Sequence, residues 1–245
     1  MKIYQIELTN HCNFNCSYCP RSEMKRPLGF MSLRTLKEVM NKIDNDIIRL
    51  HHYGESLSHP RIIKFIKVIK QIKPNIQIVI NTNGSLLTRK VVNNLFYNGL
   101  NKLIVSYHNK KSIENLTKIN TTLRNKIEVI KMGDNDGSLE WLEEISYQVK
   151  YKRLRDLGQI EKLRTLKGDP KDRCSFLNNN EVVVLWNGDI VPCCECYDDN
   201  VVLGNIHDTH IVNNKVFDMC NTCLGYGNDH NETEKSNIGE KNENR

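Results

Sequence analysis

The apolar residues of the first 160 positions occur in two alternating patterns, one typical of strands and one typical of helices. Short apolar or alternating segments of strand length lie at 3–8, 47–52, 76–80, 103–106, 127–132 and 147–154. Between them, apolar residues recur every three or four positions, which predicts helices at 33–43, 61–72, 91–96 and 139–142, and we predict a polar helix at 112–124. Ser32 is the predicted N-cap of the first helix.

Alternating strands and helices, joined by right-handed crossovers, predict a parallel sheet covered by helices. Eight such units do not fit before residue 160. We therefore predict an α/β fold, an open partial (β/α)6 TIM barrel over residues 1–160. Polar and glycine-bearing residues follow directly after several of the strands, at the edge where α/β barrels place their active sites.

The pattern changes in the last third of the chain. Residues 182–186 alternate and are followed by an Asn-Gly turn at 187–188, which predicts a β-hairpin. We expect a small hairpin-and-helix domain over 170–227. The segment 228–245 is rich in Asn and Glu without apolar periodicity, so we expect a disordered tail there.

The composition is that of an ordinary globular protein, with 39% hydrophobic and 26% charged residues. No segment approaches the roughly 20 apolar residues of a membrane span, and the N-terminus does not resemble a signal peptide. We therefore expect a cytoplasmic protein without a membrane partner. The net charge of +6 is moderate, and lysines such as Lys64, Lys67 and Lys70 share one helix face. We interpret them as a solvated surface and do not expect a nucleic-acid partner.

The residues that best indicate the chemistry of the protein are its nine cysteines, which fall in two groups. Their odd number and the length of the chain favour metal-binding thiols over a disulfide framework. Cys12, Cys16 and Cys19 follow the first predicted strand. Three thiolates can hold an iron–sulfur cube and leave one metal position open, whereas a closed cluster or a structural zinc site takes four ligands. A zinc loop completed by His11 is the alternative.

This spacing, with the aromatic Tyr18 just before the third cysteine, resembles the signature loop of the radical S-adenosylmethionine (SAM) enzymes. The resemblance implies that Cys12, Cys16 and Cys19 hold a 4Fe–4S cluster whose fourth iron binds SAM. It also implies reductive cleavage of SAM to methionine and a 5′-deoxyadenosyl radical, with an electron from a flavodoxin or ferredoxin. Tyr18 is then expected to lie against the adenine of SAM.

Three later turns occur in the order that this family shows. Gly54 and Glu55 resemble the end of its Gly-Gly-Glu turn, which implies contact with the SAM ammonium, although a tyrosine replaces the first glycine. Thr82 and Asn83 resemble a turn that faces the SAM ribose. Ser106 matches a serine that hydrogen-bonds SAM in relatives. Without the resemblance, each is an ordinary turn or strand-end residue.

The second cysteine group resembles the auxiliary-cluster extension of the SPASM/twitch branch of radical SAM enzymes. The hairpin at 184–194 matches that branch, and the absence of cysteines after residue 223 matches its shorter twitch form, with one auxiliary 4Fe–4S cluster. The resemblance implies four ligands, which are Cys174, Cys193, Cys220 and Cys223. A four-cysteine structural zinc site is the alternative. Cys194 and Cys196 have no assigned role.

The motifs together predict a radical SAM oxidoreductase or maturase acting on a small polyol or a peptide. The layout is similar to that of twitch-type dehydrogenases that oxidise an aminocyclitol alcohol, in which an auxiliary cluster could accept the electron of the substrate radical. A nucleotide- or RNA-modifying radical SAM enzyme is one alternative, but no basic stripe interleaved with aromatics is visible. A non-catalytic zinc-binding protein is the other. His51, His52 and His108 lie near strand ends and are candidate substrate contacts.

Overall fold

The computed structural model describes residues 1–16, 19–108, 114, 116, 123–132, 148–152, 174–198, 201–209, 211–212 and 215–221. The predicted helix at 139–142, most of the one at 112–124, the predicted boundary at 160–170 and the predicted tail at 228–245 lie outside these residues. Within them, no helix is long and apolar enough to cross a membrane.

The described segments form one sheet of nine strands. The strands are β1 (Lys2–Ile6), β2 (Ile47–Leu50), β3 (Gln77–Thr82), β4 (Lys102–Tyr107), β5 (Ile127–Met132), β6 (Gln148–Lys152), β7 (Glu181–Val184), β8 (Asp189–Val191) and β9 (Gly204–Asn205). The α-helices with described bounds are α1 (Leu33–Lys42), α2 (Ile62–Ile72), α3 (Arg89–Tyr97) and α4 (Ser175–Asn179). The spatial order is β6-β5-β4-β3-β2-β1-β7-β8-β9.

The first six strands lie side by side in chain order, each parallel to its neighbours. In the described part of the chain β6 has a neighbour on one side only, so the sheet is open there. Helices α1, α2 and α3 connect successive strands, and the Ser32 hydroxyl caps α1 by accepting from the Thr35 backbone N–H at 3.0 Å. The predicted open partial barrel is confirmed.

The C-terminal hairpin makes strand pairings that were not predicted from the sequence. β7, the first strand of the C-terminal hairpin, pairs in parallel with β1 (Lys2 beside Glu181, Ile6 beside Val184). The hairpin β7–β8 is antiparallel and turns at Gly188, whose φ of 96° suits glycine. The C-terminal extension therefore continues the barrel sheet on the side of β1.

The two faces of the sheet differ in polarity. Residues that are paired side by side in a parallel sheet share a face, and the pairs Ile48–Ile78, Ile80–Leu103 and Val105–Val129 are fully buried in the main hydrophobic core with the helices. The opposite face, called here the inner face, carries some apolar side chains, such as Val79 and Ile104, and many polar ones. In the described strands these include Gln5, Arg49, Asn81, Lys102, Ser106 and Glu128.

A buried ion pair and its hydrogen bonds connect Glu7, directly after β1, with loops from both halves of the chain. Arg26 donates to both carboxylate oxygens of Glu7, to one of them at 2.6 Å, and both side chains are at most 3% exposed. The Arg26 Nε also donates to the Tyr197 carbonyl at 2.7 Å. The Asp198 carboxylate accepts from the backbone N–H of Lys25 and Arg26 at 3.0–3.2 Å. The segment after Cys19 is thereby attached to the segment after Cys196.

We expect Arg26→Met to destabilise the fold by about 3–5 kcal/mol, because it leaves the Glu7 carboxylate buried without a counter-ion. Urea denaturation of the variant measures this free energy of unfolding. The double variant Glu7→Leu/Arg26→Met should recover much of the loss, and Arg34→Met, on the exposed side of α1, should change little. A loss below about 1 kcal/mol for Arg26→Met would show that the pair does not hold these segments together.

Candidate active site

The first cysteine group lies in a loop directly after β1. Cys12, Cys16 and Cys19 are partly buried free thiols. The loop is compact, since the Cys19 N–H donates to the Cys16 carbonyl at 3.1 Å and the Arg21 guanidinium donates to the Phe14 carbonyl at 2.8 Å. Burial raises the pKa of the Cys12 and Cys19 thiols, and the positive charge of Arg21 partly opposes it. A bound metal cluster would offset this penalty on the thiolates.

The donor set of this loop fits a 4Fe–4S cluster that keeps one iron open, because it offers three thiols free of disulfides. Among the described residues, no three His, Cys, Asp or Glu side chains are grouped as ligands of a single metal ion. The assignment of Cys12, Cys16 and Cys19 as ligands therefore stays a prediction. Tyr18, predicted against the adenine, lies outside the described residues.

Glu55 connects the turn after β2 with the end of β3. Its carboxylate is 2% exposed and accepts from the Leu57 N–H at 2.9 Å, the Thr82 hydroxyl at 2.8 Å and the Asn83 N–H at 2.8 Å. Burial raises the pKa of Glu55, and these three donors partly oppose it. Both carboxylate oxygens are used inside the protein, so Glu55 also has a structural role that the sequence did not reveal.

Asn83 extends this network to the cysteine loop. Its amide nitrogen donates to the Asn13 side chain at 2.9 Å and lies 3.9 Å from the Cys12 sulfur. Ser106 lies on the inner face one strand away, because Thr82 pairs with Val105 in the register of β3 and β4. The structure thus brings Cys12, Asn83 and Ser106 to one edge of the sheet. Contact of these residues with SAM stays a prediction.

Gly54 is required by a close approach of two backbone segments. A Cβ atom at this position would lie 2.0 Å from the Thr9 carbonyl oxygen and 2.8 Å from the Asn10 Cα. Since both neighbours are backbone atoms, neither can rotate away. The glycine therefore lets the turn before Glu55 pack against the segment that leads into the cysteine loop.

We expect Gly54→Ala to lower the free energy of unfolding by about 1–3 kcal/mol, as overpacking does in other cores, and to weaken SAM binding by displacing the turn. Thermal unfolding and equilibrium dialysis of SAM measure the two effects. Ser58→Ala, in the same connection, serves as the control. Wild-type stability and SAM affinity in Gly54→Ala would contradict the structural requirement.

The second cysteine group lies on the inner face beside β1. Val183 pairs with Gln5 of β1 and with Val191 of β8, and these two valines pack in an apolar cluster. The cysteines that pack in or against this cluster are Cys174, Cys193, Cys194 and Cys196. The Phe217 N–H contacts the Cys220 sulfur at 3.4 Å, whereas Cys223 lies outside the described residues. The ligand set again stays a prediction.

Cys196 is one of the two cysteines of this group to which the sequence assigns no role, the other being Cys194. It is 5% exposed, and its sulfur lies 3.8 Å from the Cys193 sulfur and 3.5 Å from the Met219 sulfur. The contact with the Cys196 thiol, together with burial, raises the pKa of Cys193 well above its ordinary value. The Cys-x-x-Cys spacing of the two residues was a signal that could have paired them from the sequence.

Two residues after β2 lie between the cysteine groups. Burial raises the pKa of Tyr53 well above its ordinary value, and charges on Glu195, on Cys193 and Cys194, and on Cys19 add to it. Both groups are therefore close to this side chain. The His52 ring bridges the Gln5 amide at 2.7 Å and the Cys196 carbonyl at 3.2 Å, and burial lowers its pKa to about 4. His52 is thus neutral at pH 7 and joins β1 to the second cysteine group.

Comparison with known proteins agrees with this arrangement. The model of the radical SAM superfamily matches residues 6–132, more than half of the chain, and the SPASM model, an iron–sulfur cluster-binding domain, matches 174–235. The S-adenosyl-L-methionine-dependent 2-deoxy-scyllo-inosamine dehydrogenase of Niallia circulans is 27% identical over 216 residues, which cover 84% of this chain and 79% of that protein.

Two further relatives are informative. A GTP 3′,8-cyclase of Clostridium perfringens (strain SM101 / Type A) is 31% identical over 125 residues, which cover 48% of this chain and 38% of the cyclase. The crystal structure of BtrN in complex with AdoMet and 2-DOIA has a TM-score of 0.59 at 24% identity, over 86% of this chain and 80% of that chain. This likeness supports the fold.

The two matched models confirm the predicted cofactors, which are a SAM-binding 4Fe–4S cluster, SAM and an auxiliary iron–sulfur cluster. The radical SAM model covers the first cysteine group, at residues 12–19, and the SPASM model covers the second, at residues 174–223. The zinc alternatives gain no support from them. The chain belongs to the radical SAM superfamily and carries a SPASM-type iron–sulfur cluster-binding domain.

Proposed function

We propose that this enzyme is a radical SAM dehydrogenase that oxidises a hydroxyl-bearing carbon of a small polyol of the aminocyclitol class. The observation that carries the proposal is the polar inner face of the open barrel, which lies beside both cysteine groups. A substrate bound there would be close to both. The alternative substrates are a peptide and a nucleotide.

The chemistry of the inner face suits a small molecule with several hydroxyl groups. Lys102 and Glu128 form an ion pair on this face, and the Arg49 guanidinium lies over the Tyr4 ring at 4.3 Å. These charges are therefore already partnered within the protein. The hydroxyl groups of such a substrate can donate and accept hydrogen bonds on this surface.

The residues of the chain have distinct tasks in this proposal. When bound, the two clusters and SAM would supply a 5′-deoxyadenosyl radical that removes a hydrogen atom from the substrate carbon, and an acceptor for the second electron, while the hydroxyl proton would be released to water. Cys12, Cys16 and Cys19 hold the first cluster, and Glu55 and Asn83 fix the turns around it. The neutral His52 holds the second cysteine group against β1. We also propose a flavodoxin- or ferredoxin-type reductant.

The extent of the sequence matches favours a dehydrogenase over a nucleotide-modifying enzyme. The match to the inosamine dehydrogenase covers 84% of the chain. Residues 1–173 make up a smaller share of the chain than this, so the match extends into the second cysteine group. The match to the cyclase covers 48% of the chain. The auxiliary domain is the part expected to take up the second electron, and the dehydrogenase match includes some of it.

Hydrogen transfer from a labelled substrate tests the proposal. We expect the reconstituted enzyme, given SAM, a reductant and 2-deoxy-scyllo-inosamine deuterated at its carbinol carbons, to form deuterated 5′-deoxyadenosine and a ketone. Label transfer from a peptide or a nucleotide, with none from this or related polyols, would show that the proposed substrate class is wrong.

A further inference from the structure

Asn81 is a half-buried residue whose side-chain oxygen has no hydrogen-bond partner among the described residues. Asn81 belongs to β3, which continues two residues beyond its predicted end because Asn81 and Thr82 pair with Ile104 and Val105 of β4. The Asn81 Oδ1 atom is buried and accepts no hydrogen bond. Buried amides are nearly always hydrogen-bonded in native proteins, so this one calls for an explanation.

The neighbouring polar residues of the same strand end are fully used. The Thr82 hydroxyl and the Asn83 N–H donate to Glu55. The Asn83 amide donates to Asn13 and accepts from the Ser85 N–H and hydroxyl. Asn81 has no part in this network. Its Oδ1 atom has no partner among the residues that the structure describes, and it is therefore available to a bound molecule.

The position of Asn81 places it inside the barrel beneath the first cysteine group. Asn81 lies on the inner face, since Ile80 before it is fully buried in the main core. Asn83, directly after the end of β3, reaches to within 3.9 Å of the Cys12 sulfur. Two residues of a strand span about 6.6 Å. A ring-sized molecule under the SAM site can thus contact Asn81.

The chemistry of the amide and of its surroundings indicates the class of ligand. The oxygen and nitrogen of an Asn side chain are assigned from hydrogen bonds, which Asn81 lacks, so either end can face the ligand. A hydroxyl group both donates and accepts, and it satisfies both orientations. On this face Lys102 and Glu128 are paired with each other, and a hydroxyl group of the ligand can bind Asn81 without disturbing that pair.

We propose that Asn81 binds the substrate by exchanging a hydrogen bond with a hydroxyl group of the polyol, and so sets which carbon faces the SAM site. This inference rests on the proposed function, because it takes a polyol as the ligand. Ile104, beside Asn81, supplies an apolar contact for the ring carbons.

The test compares Asn81→Leu, which has nearly the same shape without polar atoms, with Asn94→Leu on the exposed side of α3. Binding of 2-deoxy-scyllo-inosamine to the reconstituted, SAM-loaded enzyme is measured by calorimetry before reduction. We expect Asn81→Leu to weaken binding about 10-fold or more. Its melting temperature should not fall, because an amide without a partner has been removed. Asn94→Leu should bind as the wild type does.

Two of the possible outcomes separate this inference from the proposed function. Wild-type affinity in Asn81→Leu, with oxidation of the polyol retained, would overturn the role of Asn81 and leave the proposed function intact. A 10-fold loss of binding in Asn81→Leu, with no deuterium transfer by the wild type, would support the role of Asn81 and reject the proposed reaction. A wild type that neither binds nor oxidises the polyol would overturn both. If Asn81→Leu does not fold, Asn81→Ala provides the same comparison.

Discussion

Cys16→Ala is expected to abolish the reductive cleavage of SAM. Two remaining thiols cannot hold a 4Fe–4S cluster with its ordinary ligand set, and even substitutions outside the direct ligands of metal sites reduce affinity or activity by about 10–100-fold. We therefore expect the yield of 5′-deoxyadenosine to fall by more than about 100-fold. The measurement is chromatography of 5′-deoxyadenosine and methionine after reduction of the reconstituted variant.

The matched control is Cys194→Ala, which removes a thiol that has no assigned ligand role and lies in the other cysteine group. This variant should cleave SAM at a rate close to that of the wild type. Undiminished cleavage in Cys16→Ala would mean that the loop after β1 does not hold the cluster that activates SAM.

The second large effect is expected for Cys193→Ala, which should block product formation while leaving the cleavage of SAM largely intact. The reason is the separation of the two cysteine groups, which lie in different parts of the chain and pack on different elements. Loss of the auxiliary cluster removes the acceptor of the second electron but not the three thiols of residues 12–19. We expect abortive 5′-deoxyadenosine without ketone, measured in one reaction by mass spectrometry.

The nearby Cys196 calls for a second variant in this experiment. Its sulfur lies 3.8 Å from that of Cys193, so it is a thiol that can substitute for the missing ligand. The double variant Cys193→Ala/Cys196→Ala closes this route. Wild-type product formation in the double variant would contradict a role of the auxiliary cluster in the oxidation. Unchanged 5′-deoxyadenosine yield in both Cys16→Ala and Cys193→Ala, with product still formed, would contradict the site assignment as a whole.

Much of the barrel could be predicted because its signals are local. The Ser32 cap, the helix that follows it and the strand at 127–132 depend on residues close in sequence, and the structure has them at those positions. The end of β3 was placed at residue 80 because Asn81-Thr82-Asn83-Gly84 is a strong turn signal. Pairing with β4 outweighed that signal for two residues.

The contacts that could not be predicted join distant parts of the chain. β7 pairs with β1 across about 180 residues, and nothing in the alternation of either strand specifies the partner. In the sequence, Glu7 is an ordinary polar residue of a predicted strand, and only the fold brings Arg26 close to it. Glu55 was predicted through the family resemblance as a SAM-binding residue. Its hydrogen bonds to the end of β3 depend on the parallel pairing of β2 and β3.

The most direct test of two clusters in one chain is the metal content of the protein after anaerobic reconstitution with iron and sulfide. We expect about eight iron and eight sulfide ions per chain, falling to about four in Cys16→Ala and to about four in Cys193→Ala/Cys196→Ala. About four irons in the wild type, or zinc retained at residues 174–223, would contradict the assignment of a SAM-binding cluster and an auxiliary cluster to this chain.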